Sequence, residues 1–254
     1  MILLYLAVES TMPYFCWSDT PARIDEEELI DDETQPYSDF RAGMRDVRRA
    51  NALLLGSAVV TRQVRRWLRE RPEETVTFLD VATGSADIPQ AVARAVERSG
   101  STARIAALDC SAPILRYARE EIGNSQAIRL VRGDAFRLPL PAGSVDYALC
   151  SLAFHHFGFE RSVQALREME RVARRGWIVN DLRRAWSAWI LLRLILPLAG
   201  ANRLSRHDGP ASVLRAYSVP EYRAMAEALG LALGADFEIK RSLFYRVALI
   251  RTKA

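Results

Sequence analysis

Short runs of apolar and β-branched residues alternate with helical patterns from residue 75 onward. Five such runs come first: TVTFLDV (75–81), ARIAALD (103–109), IRLVR (128–132), VDYALCSL (145–152) and GWIVND (176–181). The stretches between them include 113–122 and 160–175, in which apolar residues recur at helical spacing. Strands this apolar, alternating with helices, are typical of a parallel sheet covered on both faces. We therefore predict a doubly wound α/β fold that binds its ligands at the carboxyl ends of the strands.

The last third of the chain departs from this alternation. Ser218 and Glu221 form a capping box with Pro220 in the first turn, so we expect a helix to begin there and to end near Gly230. Two further β-rich runs follow, ADFEIKR (235–241) and LFYRVALIR (243–251). The short polar junction between them predicts an antiparallel pair, which brings the sheet to seven strands, most of them parallel.

The chain before residue 75 predicts a helical cap. Residues 19–39 are acidic, and residues 41–71 are basic with apolar positions near helical spacing, which predicts an amphipathic helix. We expect one domain over residues 1–254, divided into a cap (19–70), a core (75–182) and an insertion over one face (183–217). Residues 1–18 are apolar without a clear period and receive no assignment.

Composition and charge narrow the class of protein. Half of the residues are apolar and about a quarter are charged, which argues against a collagen-like or disordered chain. The three cysteines (16, 110 and 150) are far apart, so we expect neither a disulfide scaffold nor a cysteine-based zinc site. The excess of four positive charges is small, and no aromatic-studded basic stripe accompanies it, so no nucleic-acid partner is expected.

Two apolar stretches could suggest a membrane, and neither is predicted to span one. Residues 2–8 lack a basic region before them and a small-residue cleavage site after them, unlike a signal peptide. Residues 186–199 are fewer than the roughly 20 that a span requires, and they include Arg193 and Pro197. We expect a cytoplasmic protein.

The segment FLDVATGSAD (78–87) joins the first strand to the first helix, where a doubly wound sheet binds a nucleotide. Only Gly84 is a glycine, so the spacing does not match the dinucleotide pattern G-x-G-x-x-G. Asp80 and Asp87 flank the turn; their charges would repel a pyrophosphate and attract a ligand that carries an ammonium and a sulfonium group. S-adenosylmethionine is such a ligand, and we predict it as the cofactor.

Three further strand ends suit this ligand. Asp109 ends the second strand and can accept hydrogen bonds from both ribose hydroxyls, and Asp134, after the third strand, can accept one from the adenine amino group. Ser151 ends the fourth strand, beside the expected place of the sulfonium. The predicted cofactor-binding residues are Asp80, Ala82, Thr83, Gly84, Asp109, Cys110, Asp134, Ala135 and Ser151.

With these motifs the sequence resembles the class I S-adenosylmethionine-dependent methyltransferases. The resemblance is carried by DVATGSAD (80–87), ALD (107–109), GDAFRLPLPAGSVDYALCSLAFHHF (133–157) and ALREMERVARRGWIVNDLRR (165–184). It covers residues 75–182 and implies a Rossmann-like methyltransferase fold with a small-molecule acceptor. Residues 196–231 are loosely similar to the quinone C-methyltransferases of ubiquinone and menaquinone synthesis. The stretch from HHF to NDL also resembles bacterial methyltransferases thought to act on natural products beside polyketide synthases.

Two positions depart from the family pattern D-x-G-x-G-x-G. Ala82 and Ala86 stand where that pattern has glycine. Related quinone methyltransferases have alanine at the position of Ala82. Ala86 adds a methyl group near the expected methionine tail, so we expect it to bear on the affinity for the cofactor rather than on its identity.

An oxygen or carbon acceptor must lose a proton before or during methyl transfer. His155 and His156 follow the fourth strand and are the candidate catalytic residues, because imidazole titrates near neutral pH. Adjacent residues on an extended chain point to opposite sides, so we expect only one of them to face the acceptor. The alternative is that they cap the next turn or pack beside Phe157. No metal is expected, because no cysteine or clustered acid accompanies the pair.

The insertion contains the candidate acceptor-binding residues. His207 lies beside Asp208 in SRHDGPAS, and a simple turn with Gly209 and Pro210 is the alternative interpretation. Tyr217 could line the same cavity or pack in the core.

Trp186 and Trp189 lie in the apolar stretch 186–199. We predict that they roof a pocket for a flat or lipophilic acceptor, such as an aromatic polyketide or a quinone precursor. A homodimer face and a buried helix are the alternatives.

Several functions remain open at this point. The favoured one is methyl transfer to a small molecule, with O- or C-methylation undecided. A non-catalytic protein of the same fold, with a regulatory or binding role, is the alternative. A dehydrogenase is disfavoured by the missing glycines, and an RNA methyltransferase by CSLA (150–153) where an N-P-P-Y-type tetrapeptide would stand.

Overall fold

The computed structural model describes residues 20–32 and 34–253 and contains one seven-stranded sheet in the order β3-β2-β1-β4-β5-β7-β6. Its strands are β1 (Thr75–Val81), β2 (Thr102–Asp109), β3 (Ile128–Arg132), β4 (Val145–Ser151), β5 (Ala173–Leu182), β6 (Phe237–Ser242) and β7 (Arg246–Thr252). Strands β1 to β5 run parallel, while β7 is antiparallel to both β5 and β6. The predicted fold class, including the antiparallel C-terminal pair, is confirmed.

Eight α-helices accompany the sheet in the described part of the chain. They are α1 (Tyr37–Leu53), α2 (Gly56–Glu70), α3 (Asp87–Glu97), α4 (Ala112–Ile122), α5 (Phe159–Val172), α6 (Trp186–Leu198), α7 (Arg203–Arg215) and α8 (Val219–Glu227). Two 3-10 turns, Leu29–Asp31 and Phe154–His156, contribute to the site described below. Helix α8 begins with the predicted capping box, in which Ser218 and Glu221 each accept a hydrogen bond from the other's backbone N–H.

The sheet has an apolar core on each face, because successive side chains of a strand point in opposite directions. Phe78 and Ile178 belong to the core that includes Trp67 of α2. Their neighbours Leu79 and Val179 belong to the other core, on the face covered by α5 and α8. Burial on both faces explains why these strands are continuously apolar in sequence rather than alternating.

Two sequence expectations about helices were wrong. The single helix expected over 41–71 is broken, because Leu55 has a left-handed φ of 56° and α2 restarts at Gly56. The turn considered at Gly209 and Pro210 lies inside α7. Gly209 permits the packing of α7 on α6, since a Cβ there would lie 2.6 Å from a methyl carbon of Leu196.

Residues 1–19, 33 and 254 lie outside the described residues. The interpretations of the apolar stretch 1–18, of Cys16 and of the start of the cap at residue 19 fall there. Among residues 20–32 and 34–253, no helix is both long and apolar enough to cross a membrane.

Candidate active site

The loop between β1 and α3 has the backbone conformation that glycines favour at three positions, although only one of them is a glycine. Ala82, Gly84 and Ala86 have φ values of 54°, 55° and 55°. Each left-handed residue with a side chain costs about 1 kcal/mol, which explains why the family pattern has glycine there. The loop keeps this shape partly because the N–H of Thr83 donates to the carbonyl oxygen of Leu108, 2.9 Å away.

Asp109, at the end of β2, is buried and fixes this loop. Its Oδ2 accepts a hydrogen bond from the backbone N–H of Gly84 and its Oδ1 one from Ser111, both at 3.1 Å. Burial raises the pKa of Asp109 above its ordinary value, although these backbone N–H groups oppose the rise. An ionised carboxylate has about four acceptor sites, so each oxygen retains one for a ligand hydroxyl.

Asp80, in β1, is a buried carboxyl group that lacks a cationic partner among the described residues. Its side chain is almost fully enclosed, and its Oδ1 has no hydrogen-bond partner there; the same holds for Oγ1 of Thr83. Burial raises the pKa of Asp80 to about 8, and the nearby charges of Asp87 and Asp109 add to the rise. An unpaired buried carboxyl is costly, so this position favours a ligand that brings hydrogen-bond donors or positive charge.

The other predicted cofactor residues lie at the same edge of the sheet. Cys110 follows β2 and is exposed, and Asp134 follows β3, where its Oδ1 accepts a hydrogen bond from the N–H of Phe136 at 2.8 Å. Ala135 is buried beside it, and Ser151 ends β4. The parallel strands thus bring all nine residues to one edge, where the strand order reverses between β1 and β4.

Helix α1 lies over the loop between β1 and α3 through contacts that the sequence did not reveal. Arg48 donates to the carbonyl oxygen of Ser85 at 3.1 Å, and Nδ2 of Asn51 donates to Asp87 at 3.1 Å. Arg246 of β7 in turn donates to Oδ1 of Asn51 at 2.9 Å. These polar positions on an amphipathic helix carry no local signal, because they find their partners only in the folded chain.

His155 is buried at the start of the connection after β4. Its Nδ1 lies 2.7 Å from Oδ1 of Asp181, and its backbone N–H donates to Oδ2 of the same carboxylate at 3.1 Å. Burial alone would raise the pKa of Asp181, but the charge and the hydrogen bond of His155 hold it below its ordinary value. Asp181 comes from the end of β5, so the histidine is oriented by a carboxylate that the sequence analysis did not single out.

His156 lies against acidic residues from the segment before α1. Its Nδ1 is 2.9 Å from Asp31, and its Nε2 is 3.8 Å from Oε2 of Glu28. Burial lowers the pKa of His156, but the charges of Glu28 and Asp31 and the hydrogen bond to Asp31 outweigh it and raise the pKa to about 9. In the absence of another cation, this imidazole is therefore protonated at neutral pH.

Two expectations about the histidine pair were wrong. The residues lie in a 3-10 turn rather than an extended chain, so both rings face Glu28, with their centroids 4.3 Å apart. The sequence also indicated no clustered acids beside the pair, but carboxylates from residues 28–31 and from Asp181 lie against the two imidazoles. The acidic run IDEEELIDDE was visible in the sequence, but its pairing with a histidine more than a hundred residues away was not.

The predicted acceptor-side residues have identifiable contacts. Nδ1 of His207 lies 2.8 Å from Asp208 and its Nε2 lies 3.2 Å from Glu26. Asp208 also accepts hydrogen bonds from the N–H groups of Leu29 and Ile30 at 2.8 and 3.0 Å. The pair therefore anchors the segment that carries Glu28 to helix α7.

Tyr217 is buried, and its hydroxyl donates to the carbonyl oxygen of Phe157 at 2.7 Å, with the Arg23 guanidinium 4.5 Å above its ring. Trp186 and Trp189 pack edge to face at 5.7 Å on α6. This helix exposes Ile190, Leu191, Leu194, Ile195 and Leu198, so the buried-helix alternative was wrong. A groove of about 600 Å³ lies at the opposite, amino-terminal edge of β2 and β3, away from all of these residues.

Comparison of the sequence with known proteins identifies a methyltransferase segment. Residues 79–179 match the family model described as "Methyltransferase domain". The chain is 34% identical to demethylmenaquinone methyltransferase from Staphylococcus aureus (strain MRSA252) over 101 residues, and this aligned segment covers 40% of each chain. The chain thus matches about two fifths of the length of these curated relatives.

Solved structures share the fold. A SAM-dependent methyltransferase from Aquifex aeolicus gives a TM-score of 0.58 at 16% identity, over 84% of this chain and 98% of that chain. Human N-acetylserotonin methyltransferase, in complex with SAM, gives a TM-score of 0.57 at 16% identity, over 86% of this chain and 57% of that chain. These likenesses show that the chain has the fold of these methyltransferases, and the family match confirms the resemblance to methyltransferases over residues 79–179.

Proposed function

We propose that this chain, with the fold and motifs of the class I S-adenosylmethionine-dependent methyltransferases, transfers a methyl group to a small aromatic or lipophilic acceptor. The observation that carries the proposal is the buried, unpaired Oδ1 of Asp80, close to Asp109 at the point where the strand order reverses. A diphosphate would add negative charge to these carboxyl groups. A ligand with an amino group and ribose hydroxyls supplies the donors they lack.

Each proposed cofactor-binding residue would contact a different part of S-adenosylmethionine. Asp80, with Thr83, would hold the positively charged amino acid end, and Asp109 the ribose hydroxyls. Asp134 would accept a hydrogen bond from the adenine, and Ser151 would lie beside the sulfur. When bound, S-adenosylmethionine supplies a methyl group on a sulfonium, whose thioether leaves without needing a proton.

Of the two candidate catalytic residues, we assign the acceptor's proton to His155, because the pKa of His156 is raised to about 9 and His156 is already protonated at neutral pH. Asp181 contacts Nδ1 of His155, which leaves Nε2 facing Glu28 as the nitrogen available to a ligand. In its neutral form an imidazole held in this way can take a proton or bind a cation. The burial of His155 beneath the segment 23–31 would exclude water from the acceptor during transfer.

We further propose that residues 19–70 cap the cofactor and that residues 183–217 form the acceptor side. Trp186 and Trp189 offer two aromatic faces beside exposed aliphatic side chains of α6, which suits a flat or lipophilic acceptor. Tyr217 and His207 support this side of the site. Changing both tryptophans to alanine is expected to raise the KM for the acceptor without changing cofactor affinity. If the affinities for acceptor and cofactor fall equally, the tryptophans do not cover the acceptor pocket.

Titration calorimetry with S-adenosylhomocysteine and with NADH tests the cofactor assignment. We expect the wild type to bind S-adenosylhomocysteine and not NADH. Asp109→Asn should weaken binding about 30-fold, since hydrogen bonds to a charged group contribute about 2 kcal/mol. Glu97→Gln, at an exposed glutamate that ends α3, is the control and should bind normally.

Binding of NADH instead, or an Asp109→Asn variant that binds like the control, would overturn the cofactor assignment. Transfer itself is measured with a methyl-labelled donor and a panel of phenols and quinone precursors. Binding of S-adenosylhomocysteine without labelled product from any acceptor would favour the non-catalytic alternative.

A further inference from the structure

Three potential ligand atoms converge beside the acceptor side of the sheet edge. One atom each of Glu28, His155 and His156 lies within 4.8 Å of the others. Nε2 of His155 is 3.7 Å from Oε1 of Glu28, and Nε2 of His156 is 3.8 Å from Oε2. These distances are too long for hydrogen bonds. They exceed by only a few tenths of an ångström the ~3.4 Å between two ligands of a tetrahedral zinc ion with bonds of about 2.1 Å.

Both imidazoles are oriented from behind by carboxylates. Asp181 holds Nδ1 of His155 at 2.7 Å, and Asp31 holds Nδ1 of His156 at 2.9 Å. Metal-binding histidines almost always give their second ring N–H to such a partner, which fixes the ring and makes the other nitrogen the ligand. A cluster that formed only to neutralise Glu28 would not need both outer carboxylates.

Helix α7 holds the two chain segments of this cluster together. Arg215 donates to the carbonyl oxygens of His155 and His156 at 3.2 and 3.1 Å, and to that of Glu26 at 2.8 Å. Ser212 donates to Oε1 of Glu28 at 2.8 Å. One helix therefore holds the backbones of both histidines and the carboxylate of Glu28, as a preformed site requires.

We propose that Glu28, His155 and His156 bind a divalent first-row transition-metal ion, with open coordination positions for water or an acceptor oxygen. Two imidazoles and one carboxylate suit Zn²⁺, Co²⁺ or Fe²⁺, whereas Mg²⁺ prefers oxygen ligands only. With the ion bound, Nε2 of His155 is a ligand and no longer the proton acceptor, and a hydroxyl coordinated to the ion would release its proton to water at a lower pH than a free hydroxyl. That role rests on the proposed methyl transfer, whereas the binding of the ion does not.

Titration of chelator-treated protein with Co²⁺, followed by its visible absorption, tests the site. We expect one Co²⁺ per chain, displaced by Zn²⁺ and unaffected by excess Mg²⁺. Glu28→Gln and His156→Gln should each weaken Co²⁺ binding at least about 100-fold, because a ligand is lost. Glu27→Gln, at the exposed neighbour of Glu28, is the matched control and should bind Co²⁺ like the wild type.

Absence of a saturable Co²⁺ spectrum in the wild type overturns the proposal, as does equal weakening in Glu27→Gln. If His156→Gln still binds Co²⁺ and His207→Gln does not, the ion binds at His207 and the proposal is overturned. If Glu28→Gln does not fold, His156→Gln decides, since His156 is only half-buried. S-adenosylhomocysteine binding is measured on the same proteins, so failure of the cofactor assignment is seen separately.

Discussion

The two ends of the candidate active site are built in different ways. The cofactor half consists of the loop 80–87 and Asp109, which lie within about thirty residues of one another, and backbone N–H groups hold it. The histidine half consists of Glu28, Asp31, His155, His156 and Asp181. Its members come from three segments spread over residues 28–181, and mostly side-chain pairs hold them together.

Their charges differ as well. In the cofactor half, Asp80 is buried without a cation among the described residues, so nothing there compensates its ionised form and its pKa is raised to about 8. In the histidine half, carboxylates and imidazoles compensate one another. Removal of a carboxylate should therefore have opposite effects on stability in the two halves, and this difference can be measured.

The largest expected effect is in the histidine half. Asp181→Ala removes the acceptor of three hydrogen bonds, from Nδ1 and the backbone N–H of His155 and from the N–H of Leu182. Breaking a buried pair on one side typically costs about 4 kcal/mol, and we expect that loss in the free energy of unfolding by urea. The control, Glu97→Ala at the exposed end of α3, should stay within about 0.5 kcal/mol of the wild type. A loss from Asp181→Ala no larger than this would show that the pairs contribute nothing to stability.

The difference between the halves also explains what the sequence could predict. Strand ends such as Asp80 and Asp109 follow from apolar runs and chain order, so the sequence could place these residues together at one edge of the sheet. Glu28 was not predicted, because its histidine partners are more than a hundred residues away and the acidic run 24–33 is also typical of an exposed surface. Asp181 was not, because nothing local to the end of β5 indicates that it pairs with His155. The left-handed Leu55 was missed because a leucine gives no local signal for a positive φ, and the close approach of Gly56 to Asn51 is seen only in the folded chain.

The second prediction concerns the pH dependence that Asp80 imposes. Between its ordinary pKa of 3.8 and its value of about 8 in the folded chain, the folded state keeps a proton that the unfolded state has released. The free energy of unfolding therefore falls as the pH rises through this window, by about 1.4 kcal/mol per pH unit. Asp80→Asn removes this titration, so the variant should gain about 3 kcal/mol on the wild type between about pH 5 and pH 7.

Urea unfolding of both proteins at several pH values measures this gain, and titrations elsewhere in the chain cancel in the comparison. Parallel stability curves would mean that Asp80 is ionised and solvated in the folded chain. The electrostatic contrast between the two halves would then be lost.

The smallest effect concerns the backbone of the cofactor loop. Gly84 has a φ of +55°, and a Cβ there would lie 4.0 Å from its nearest side-chain atom, so Gly84→Ala costs only backbone strain, about 1 kcal/mol. Gly100→Ala, at a φ of +80° in open space, is the matched control and should cost about the same. Because the N–H of Gly84 positions Asp109, only Gly84→Ala should also weaken S-adenosylhomocysteine binding in calorimetry. Equal stability losses with unchanged binding in both variants would mean that the loop backbone does not shape the cofactor site.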